Sequence, residues 1–386
     1  MPGGRYQTVS QTLDIGKEPL DQMSNYDMPH NYVEGSVWFY APKKVAPIVF
    51  AVLFGISGCV HAWQTVRYKS WRVTLLLPWS AALFVAGFAV REVGAHHKDD
   101  LGLLIASTVL VLSGPPVYSG ADYFILGSIL YYIPYLSPIH PGRVVTTFVG
   151  IDLIIEILIG NGAAKTVNNT LNPSEIRAGQ ILVKTALIMQ AVAFIGLVAI
   201  ALIFHIRAAS RGLLNRNLKI VLYTLYASCA LIFARCIYRI AEYFEGWTGT
   251  LYTHEAYFWV FEAGLMLANS VLLNVLHPGR YLPRSNRVYL GRDGSTEYVG
   301  PGWKDPRRWW WTVLDPFDLY GVIKGRDKKS EFWNDETAEV YTGQEIRRGK
   351  NEGGWRCWRD RPLWALLLDP LHLYGDRGWI AKGYIA

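Results

Sequence analysis

The sequence predicts an all-α polytopic membrane protein: a bundle of seven transmembrane helices with the N-terminus outside and the C-terminus cytoplasmic. Three observations point there. Of the 386 residues 51% are hydrophobic, and they gather in seven runs of roughly 20 or more, the length a bilayer core requires. Basic residues concentrate in alternate loops. Charges also recur at helical spacing inside the last two runs, where each must face a partner or water.

The runs divide the chain into an extracellular arm over 1–45, a bundle over 46–280 and a basic, Trp-rich cytoplasmic tail over 281–386. The arm begins polar and mildly acidic, with Asp14, Glu18, Asp21 and Asp27 ahead of any apolar run, so it does not read as a cleavable signal. Trp38, Phe39 and Tyr40 suit a membrane interface, and the first span, about 46–66, follows with His61 in its inner half. A lone histidine there is read as a packed, hydrogen-bonded group ahead of a ligand.

The second span, about 72–94, ends in FAVREVGAHHKDD, placing Arg91 and Glu92 at its outer end either as a snorkelling pair or as part of a site. His96 and His97 beside Asp99 and Asp100 read as a short solvated loop. The third span, about 101–132, holds Gly114, Pro115 and Pro116, so a kink or break is expected there, with Asp122 within two turns. In the fourth, about 144–164, Asp152 and Glu156 sit at i and i+4 on one face. That pair suits proton coupling or attraction of a cation, and equally a structural counter-ion role toward Lys184, Arg235 or Arg239. The following loop carries the sequon Asn168-Asn169-Thr170, on the side expected to be outside. The fifth span, about 179–206, adds Lys184 and Gln190.

The sixth and seventh spans, about 218–243 and 256–277, are the densest in charge. Arg235, Arg239 and Glu242 fall at i, i+4 and i+7 on one face, Glu255 and Glu262 are seven apart, and His277-Pro278-Gly279 closes the segment. With seven alternating spans, Arg91, Glu92, Glu156, Lys184, Arg235, Arg239, Glu242 and Glu262 all fall in the outer half of the membrane. A polar cavity opening outward is expected from that convergence.

Net charge is +7, but it is not a nucleic-acid signature, because it lies in particular loops. Arg67, Lys69 and Arg72, then Arg143, then Arg207, Arg211, Arg216 and Lys219 follow the first, third and fifth spans. By the positive-inside rule that side is cytoplasmic, against the vote of Lys43 and Lys44. Cys59, Cys229 and Cys236 lie in spans and Cys357 in the tail, so no loop disulfide is expected. The tail contains a near-repeat, WWWTVLDPFDLYG from Trp309 and LWALLLDPLHLYG from Leu363. It reads either as segments lying on the inner membrane surface or as a small accessory fold on the cytoplasmic loops.

Several chemistries are excluded or disfavoured. GNGAAKT lacks the Gly-Lys-Ser/Thr ending of a phosphate loop, so ATP hydrolysis is not expected. No lysine occurs from Ala256 through His277, which excludes a Schiff base there. A transmembrane zinc hydrolase needs three histidines at one depth, and His61, His205 and His277 offer no H-x-x-x-H pair. No enzyme activity, metal or cofactor is expected.

The residues that carry a family likeness are Tyr40, Pro42, His61, Glu92, Gly94, Pro115, Pro116, Ala121, Tyr123, Leu126, Gly127, Asp152 and Gln190. They are densest at Arg235, Tyr238, Arg239, Glu242, Gly246, Glu255, Glu262, His277, Pro278 and Gly279. Over about 36–280 the chain resembles the fungal lipid-translocating exporter family, seven-span proteins associated with aminocholesterol resistance, sphingoid-base export and protoporphyrin handling. Glu262 stands where that family usually has Asp, and Lys184 interrupts a normally apolar helix.

The resemblance implies a translocator of amphiphilic lipids or lipid-like toxins, such as sphingoid bases or sterol-like amines. Its setting would be a fungal membrane, expected to be the plasma membrane, where it confers resistance. Its partners would be membrane lipids or amphiphilic small molecules. The expected substrate-binding set is Asp152, Glu156, Arg235, Arg239, Glu242, Glu255 and Glu262, with Glu92, Asp122, Lys184, Gln190 and His61 as further candidates. The alternative is a seven-span receptor or lipid sensor, and a zinc hydrolase is a third reading.

Overall fold

Seven helices long and apolar enough to cross a membrane build the structure, a computed structural model. It describes residues 42–68, 70–97, 99–167, 172–246, 249–283, 287–300, 311, 315, 319–324, 332–334 and 339–341. The N-terminal arm up to residue 41, the Asn168 sequon, Cys357 and the second copy of the tail repeat lie outside these residues.

The helices are α1 (Ala46–Tyr68), α2 (Leu76–His96), α3 (Leu101–Tyr132), α4 (Pro141–Val167), α5 (Pro173–Ser210), α6 (Arg216–Glu245) and α7. The last is a composite of Glu255–Tyr257, a π-helical stretch Phe258–Gly264 and Leu265–Val275. Polar loop residues set the ends. Asp100 caps α3 by accepting from Gly102 N at 2.8 Å, so this loop carboxylate serves the helix start. Asn172 and Glu175 form a capping box ahead of α5, behind Pro173 at its first position. Asn215 accepts from Leu218 N at 2.7 Å to start α6, and Gly246, at φ +86°, ends it in a conformation that a side chain resists.

Each helix packs on its neighbours in sequence, α7 returns to α1, and α3 also reaches α6. The third helix is therefore interior, and supplies the fully buried Tyr118, Tyr123, Ile125, Leu126, Ile129 and Leu130. Outward faces are apolar instead, as at Ile48, Val52, Ile56, Val192, Ile195, Ile237 and Val260. That is the arrangement expected where lipid rather than water surrounds a bundle.

Gly114, Pro115 and Pro116 do not break α3, which runs through them as one helix. Hydroxyls bond carbonyls of that turn: Ser80 of α2 donates to Gly114 O at 2.8 Å and Ser119 to Pro115 O at 3.0 Å. Between α4 and α5 the backbones nearly touch. A Cβ placed on Gly162 would lie 2.7 Å from the Gly179 carbonyl oxygen, a small-residue contact common in membranes.

In the tail, β1 (Val288–Leu290), β2 (Glu297–Val299) and β3 (Glu339–Val340) form an antiparallel sheet in the order β1-β2-β3. It packs on the C-terminal end of α3: Tyr132 donates to Glu297 at 2.9 Å, Tyr135 to Gly291 O at 2.8 Å, and Tyr131 stacks on Phe332. Arg307, Arg308, Arg359, Arg361 and most of the near-repeat, on which the two readings of the tail turn, lie outside the described residues. This end of the bundle is called the sheet end below, and the opposite one the far end.

Candidate functional site

The face of α6 carrying Arg235, Arg239 and Glu242 meets Glu262 of α7 in the far half of the bundle, and the four side chains close into one network. Arg235 Nε lies 3.0 Å from each Glu262 oxygen and its Nη2 2.8 Å from Oε1, a bidentate geometry. Arg239 Nε donates to the other oxygen at 2.7 Å and its Nη1 to Glu242 at 2.6 Å. Tyr238 also donates to Glu242, at 3.2 Å. Glu262 is completely buried and the Arg235 side chain only 4% exposed. Charges in that setting are tolerable only when each has its opposite and its hydrogen bonds.

Glu262 reaches both arginines from the π-helical stretch of α7. Such wide turns are rare and frequent at functional sites.

A second ion pair sits beside the first, nearer the far end. Arg91 of α2 turns inward to Glu255, 3.3 Å away, and its guanidinium lies 4.3 Å from the Phe258 ring centroid and 5.3 Å from that of Trp259. The other Glu255 oxygen accepts from the Lys43 backbone N at 2.9 Å. Arg91 is thus not the partner of its neighbour. Successive helical residues point about 100° apart, and Glu92 turns to His96 at 3.2 Å.

Deeper in the bundle are three carboxylates. Glu156 lies near enough to Arg235 to feel its charge. Asp152 sits beside Tyr123 of α3, its carboxylate within interaction range of the phenol. Asp122 is fully buried and accepts from Ser228 Oγ at 2.8 Å, with Cys229 Sγ at 3.9 Å. Cys59, Cys229 and Cys236 are free thiols.

Not every candidate joins. Lys184 lies 4.7 Å from the centroid of the Phe244 ring. Gln190 is buried on α5. His61 belongs to a separate polar network between α1 and α7. The expected outward-opening polar cavity takes the form of a closed, mutually paired network around Glu262. The three histidines weighed for zinc do not assemble: His205 stacks on Tyr226, while His61 and His277 face each other elsewhere. Among the described residues no group of three His, Cys, Asp or Glu could hold a metal.

This network can hold a head group by exchange. A cation can replace an arginine at a carboxylate, or an anion a carboxylate at an arginine. Two arginines balance Glu242 and Glu262, so an entering ion adds one charge, which must bring a counter-ion or be met by a neighbour such as Glu156 beside Arg235.

The model of the RTA1-like protein family matches residues 78–285, which include every member of both ion-pair groups. The chain belongs to the RTA1-like family. It is 40% identical to the lipid-translocating exporter-like protein RTA1 of Leptosphaeria maculans, over 70% of this chain and 56% of that protein. It thus spans just over half of that relative. The protein of the same name from Ajellomyces capsulatus is 36% identical over 70% of this chain and 89% of its own length. The sphingoid long-chain base transporter RSB1 of Saccharomyces cerevisiae is 36% identical over a shorter stretch, 25% of this chain and 22% of its own. No solved structure matches the chain.

What the sequence reading missed within this RTA1-like bundle is the pairing of Arg91 with Glu255, and the uncharged network of Ser57, Gln64, Tyr118, Ser270 and Asn274 around His61. The second had a faint signal. Ser57 and Gln64 are seven apart, as are Ser270 and His277, so each pair marks one helix face.

Proposed function

We propose that this chain moves amphiphilic lipids across a membrane, that its substrates are cationic amphiphiles such as sphingoid bases or sterol-like amines, and that it confers tolerance to toxic ones. The reading rests on the buried Glu262 clamped by Arg235 and Arg239 in one half of a bundle that otherwise presents apolar faces. It draws support from the names of the relatives, which describe lipid translocation and long-chain base transport. An ammonium head group would compete with the arginines for Glu262, with Asp152 and Glu156 as further acceptors along the route. The alkyl tail would stay in lipid, where it costs nothing to solvate. Glu242 and Glu255 would keep the displaced arginines paired during the exchange. By the charge rule the sheet end faces the cytoplasm, so the network would open toward the outer leaflet of the plasma membrane.

Purified protein in vesicles with a fluorescent long-chain base tests this. Wild type should speed transbilayer movement, and both Glu262→Gln and Arg239→Ala should abolish it while still inserting as folded protein. Wild-type rates from both folded variants would remove the site.

A lipid-sensor reading has one observation in its favour, the tail sheet docked on the end of α3. Deleting 285–386 separates the two: a translocator keeps moving the labelled base, whereas a sensor loses its output.

A further inference from the structure

Toward the sheet end, away from the ionic network, α1 and α7 meet through uncharged polar side chains. The Ser57 and Ser270 hydroxyls are 2.6 Å apart, Tyr118 of α3 donates to Ser270 Oγ at 2.7 Å, and Gln64 Nε2 donates to Asn274 O at 2.7 Å. Asn274 Nδ2 turns to the Ser57 oxygens. His61 and His277 face one another across this group with ring centroids 6.3 Å apart.

The partners fix where the ring hydrogens sit. His61 Nε2 lies 3.1 Å from Ser270 O, which can only accept, and 3.3 Å from Ser270 Oγ; with Nε2 donating to the carbonyl, Nδ1 carries a lone pair. His277 Nδ1 accepts from Gly279 N at 3.2 Å, so in the neutral ring its hydrogen is on Nε2. The remaining nitrogens, His61 Nδ1 and His277 Nε2, are buried and have no hydrogen-bond partner among the described residues, and the same holds for Gln64 Oε1 and Asn274 Oδ1. Buried polar atoms are almost always paired, so four in one cluster mark a place built for something else.

The chemistry of the four atoms selects the occupant. One donor and three acceptors do not suit a metal ion, because His277 Nε2 keeps its hydrogen while Gly279 holds Nδ1. They suit water, which gives two hydrogen bonds and accepts two, and the two rings are close enough for one molecule to bridge. Asn269, fully buried on α7 with both side-chain polar atoms unpaired, lies between Glu262 and Ser270 in the chain. It extends the polar stripe from the ionic network to the chamber.

We propose that this chamber is a hydrated proton-binding site and that His61 in it takes up the coupling proton of the translocation cycle. The inference rests on the lipid-moving reading above. A proton from the aqueous phase relays through chamber water, which is left neutral, to His61 Nδ1, giving an imidazolium whose Nε2 still donates to Ser270 O, and release returns it from Nδ1 through water to the aqueous phase. His277 is the positioning residue that aims the water. The ionisable groups facing the pair are Tyr118 from α3 and, stacked on His277, Tyr68 at the end of α1. Among the described residues no carboxylate faces either ring, so the protonated chamber holds an unbalanced charge. Uptake therefore favours an arrangement in which α1 and α7 part and water reaches the ring, and that ties proton binding to helix movement.

The test uses the full chain in phosphatidylcholine vesicles with an entrapped pH dye. The probe is a fluorescent long-chain trimethylammonium amphiphile, permanently charged, so any proton movement belongs to the protein. Wild type should move protons with the probe, and a pH gradient should change the probe's initial rate about tenfold. His61→Gln, whose amide reaches the Nε2 position and can still donate to Ser270 O, should lose the proton flow and the gradient dependence together. Histidine-labelled wild type should show a water contact at His61 Nδ1 by solid-state NMR. Gradient-independent probe movement, wild-type proton flow in folded His61→Gln, or a dry Nδ1 would each overturn the proposal. No probe movement from a protein whose His61 is hydrated and takes up a proton would leave the chamber standing and remove the lipid-moving reading instead.

Discussion

Replacing Glu262 with Gln tests whether the network is as closed as its distances indicate. The carboxylate is wholly buried and receives bonds from Arg235 at 2.8 and 3.0 Å and from Arg239 at 2.7 Å. Without its charge, two buried guanidiniums share Glu242 alone, and Arg235 loses its bidentate partner. Breaking a buried pair from one side costs about 3–5 kcal/mol. For Glu242→Gln the cost is smaller, about 1.5–3 kcal/mol, because Arg239 keeps Glu262 and only a charged hydrogen bond is lost. At roughly 2–4 °C per kcal/mol for a bundle of this size, Glu262→Gln should lower the melting midpoint by about 6–20 °C. It should also melt clearly below Glu242→Gln. Thermal unfolding of the full chain in detergent, followed by retained monodisperse protein, reads both. Equal midpoints for the two variants, or a Glu262→Gln midpoint within about a degree of wild type, would refute the argument that Glu262 is the shared anchor.

Three further outcomes follow from other contacts. Glu255→Gln should cost about 2 kcal/mol, since Arg91 keeps its aromatic faces but loses a charged partner, and the same melting assay reads it. Gly162→Ala would set a Cβ 2.6 Å from Val183 Cγ2 and 2.7 Å from Gly179 O, so it should destabilise by about 1–3 kcal/mol, whereas Gly160→Ala, with nothing within 4 Å, should not. At the sheet end, burial and then the nearby Asp293 push the Tyr135 phenol above its ordinary value. A raised folded value means that the stability it lends is complete below the unfolded value, about 10, and is lost as pH rises through the folded one. Sheet docking should therefore weaken only in strong alkali, and Tyr135→Phe should remove that part of the pH dependence, as measured by hydrogen exchange of 288–299.

Seven spans could be read from the sequence because each is a long apolar run, and run length is itself the physical requirement for crossing hydrocarbon. The α6 face was equally legible, since Arg235, Arg239 and Glu242 need only helical spacing to align. Partner choice was not. Whether Arg91 met Glu92 or Glu255 depended on which way α2 faced, and nothing in FAVREVGAHH states that. Lys184 looked like a counter-ion but found the Phe244 ring, because a long side chain has several neighbours within reach. Pro115 and Pro116 suggested a kink or break, yet the helix runs on through them, with Ser80 of another helix bonded to the Gly114 carbonyl beside them. The chamber around His61 was hidden for a related reason: serine, asparagine and glutamine in a span pair with whichever backbone happens to be close.

The fifth helix is 38 residues, and its charged residues Arg177 and Arg207 are 30 apart, or about 45 Å at 1.5 Å per residue. That distance equals a bilayer measured from one headgroup layer to the other. A rod gripped by charge at both rims stands nearly upright and acts as a gauge of the surrounding thickness. A thinner membrane could keep both arginines wet only by leaning it, and the backbone contact at Gly162 and Gly179 would carry α4, with Asp152 and Glu156, along with the lean.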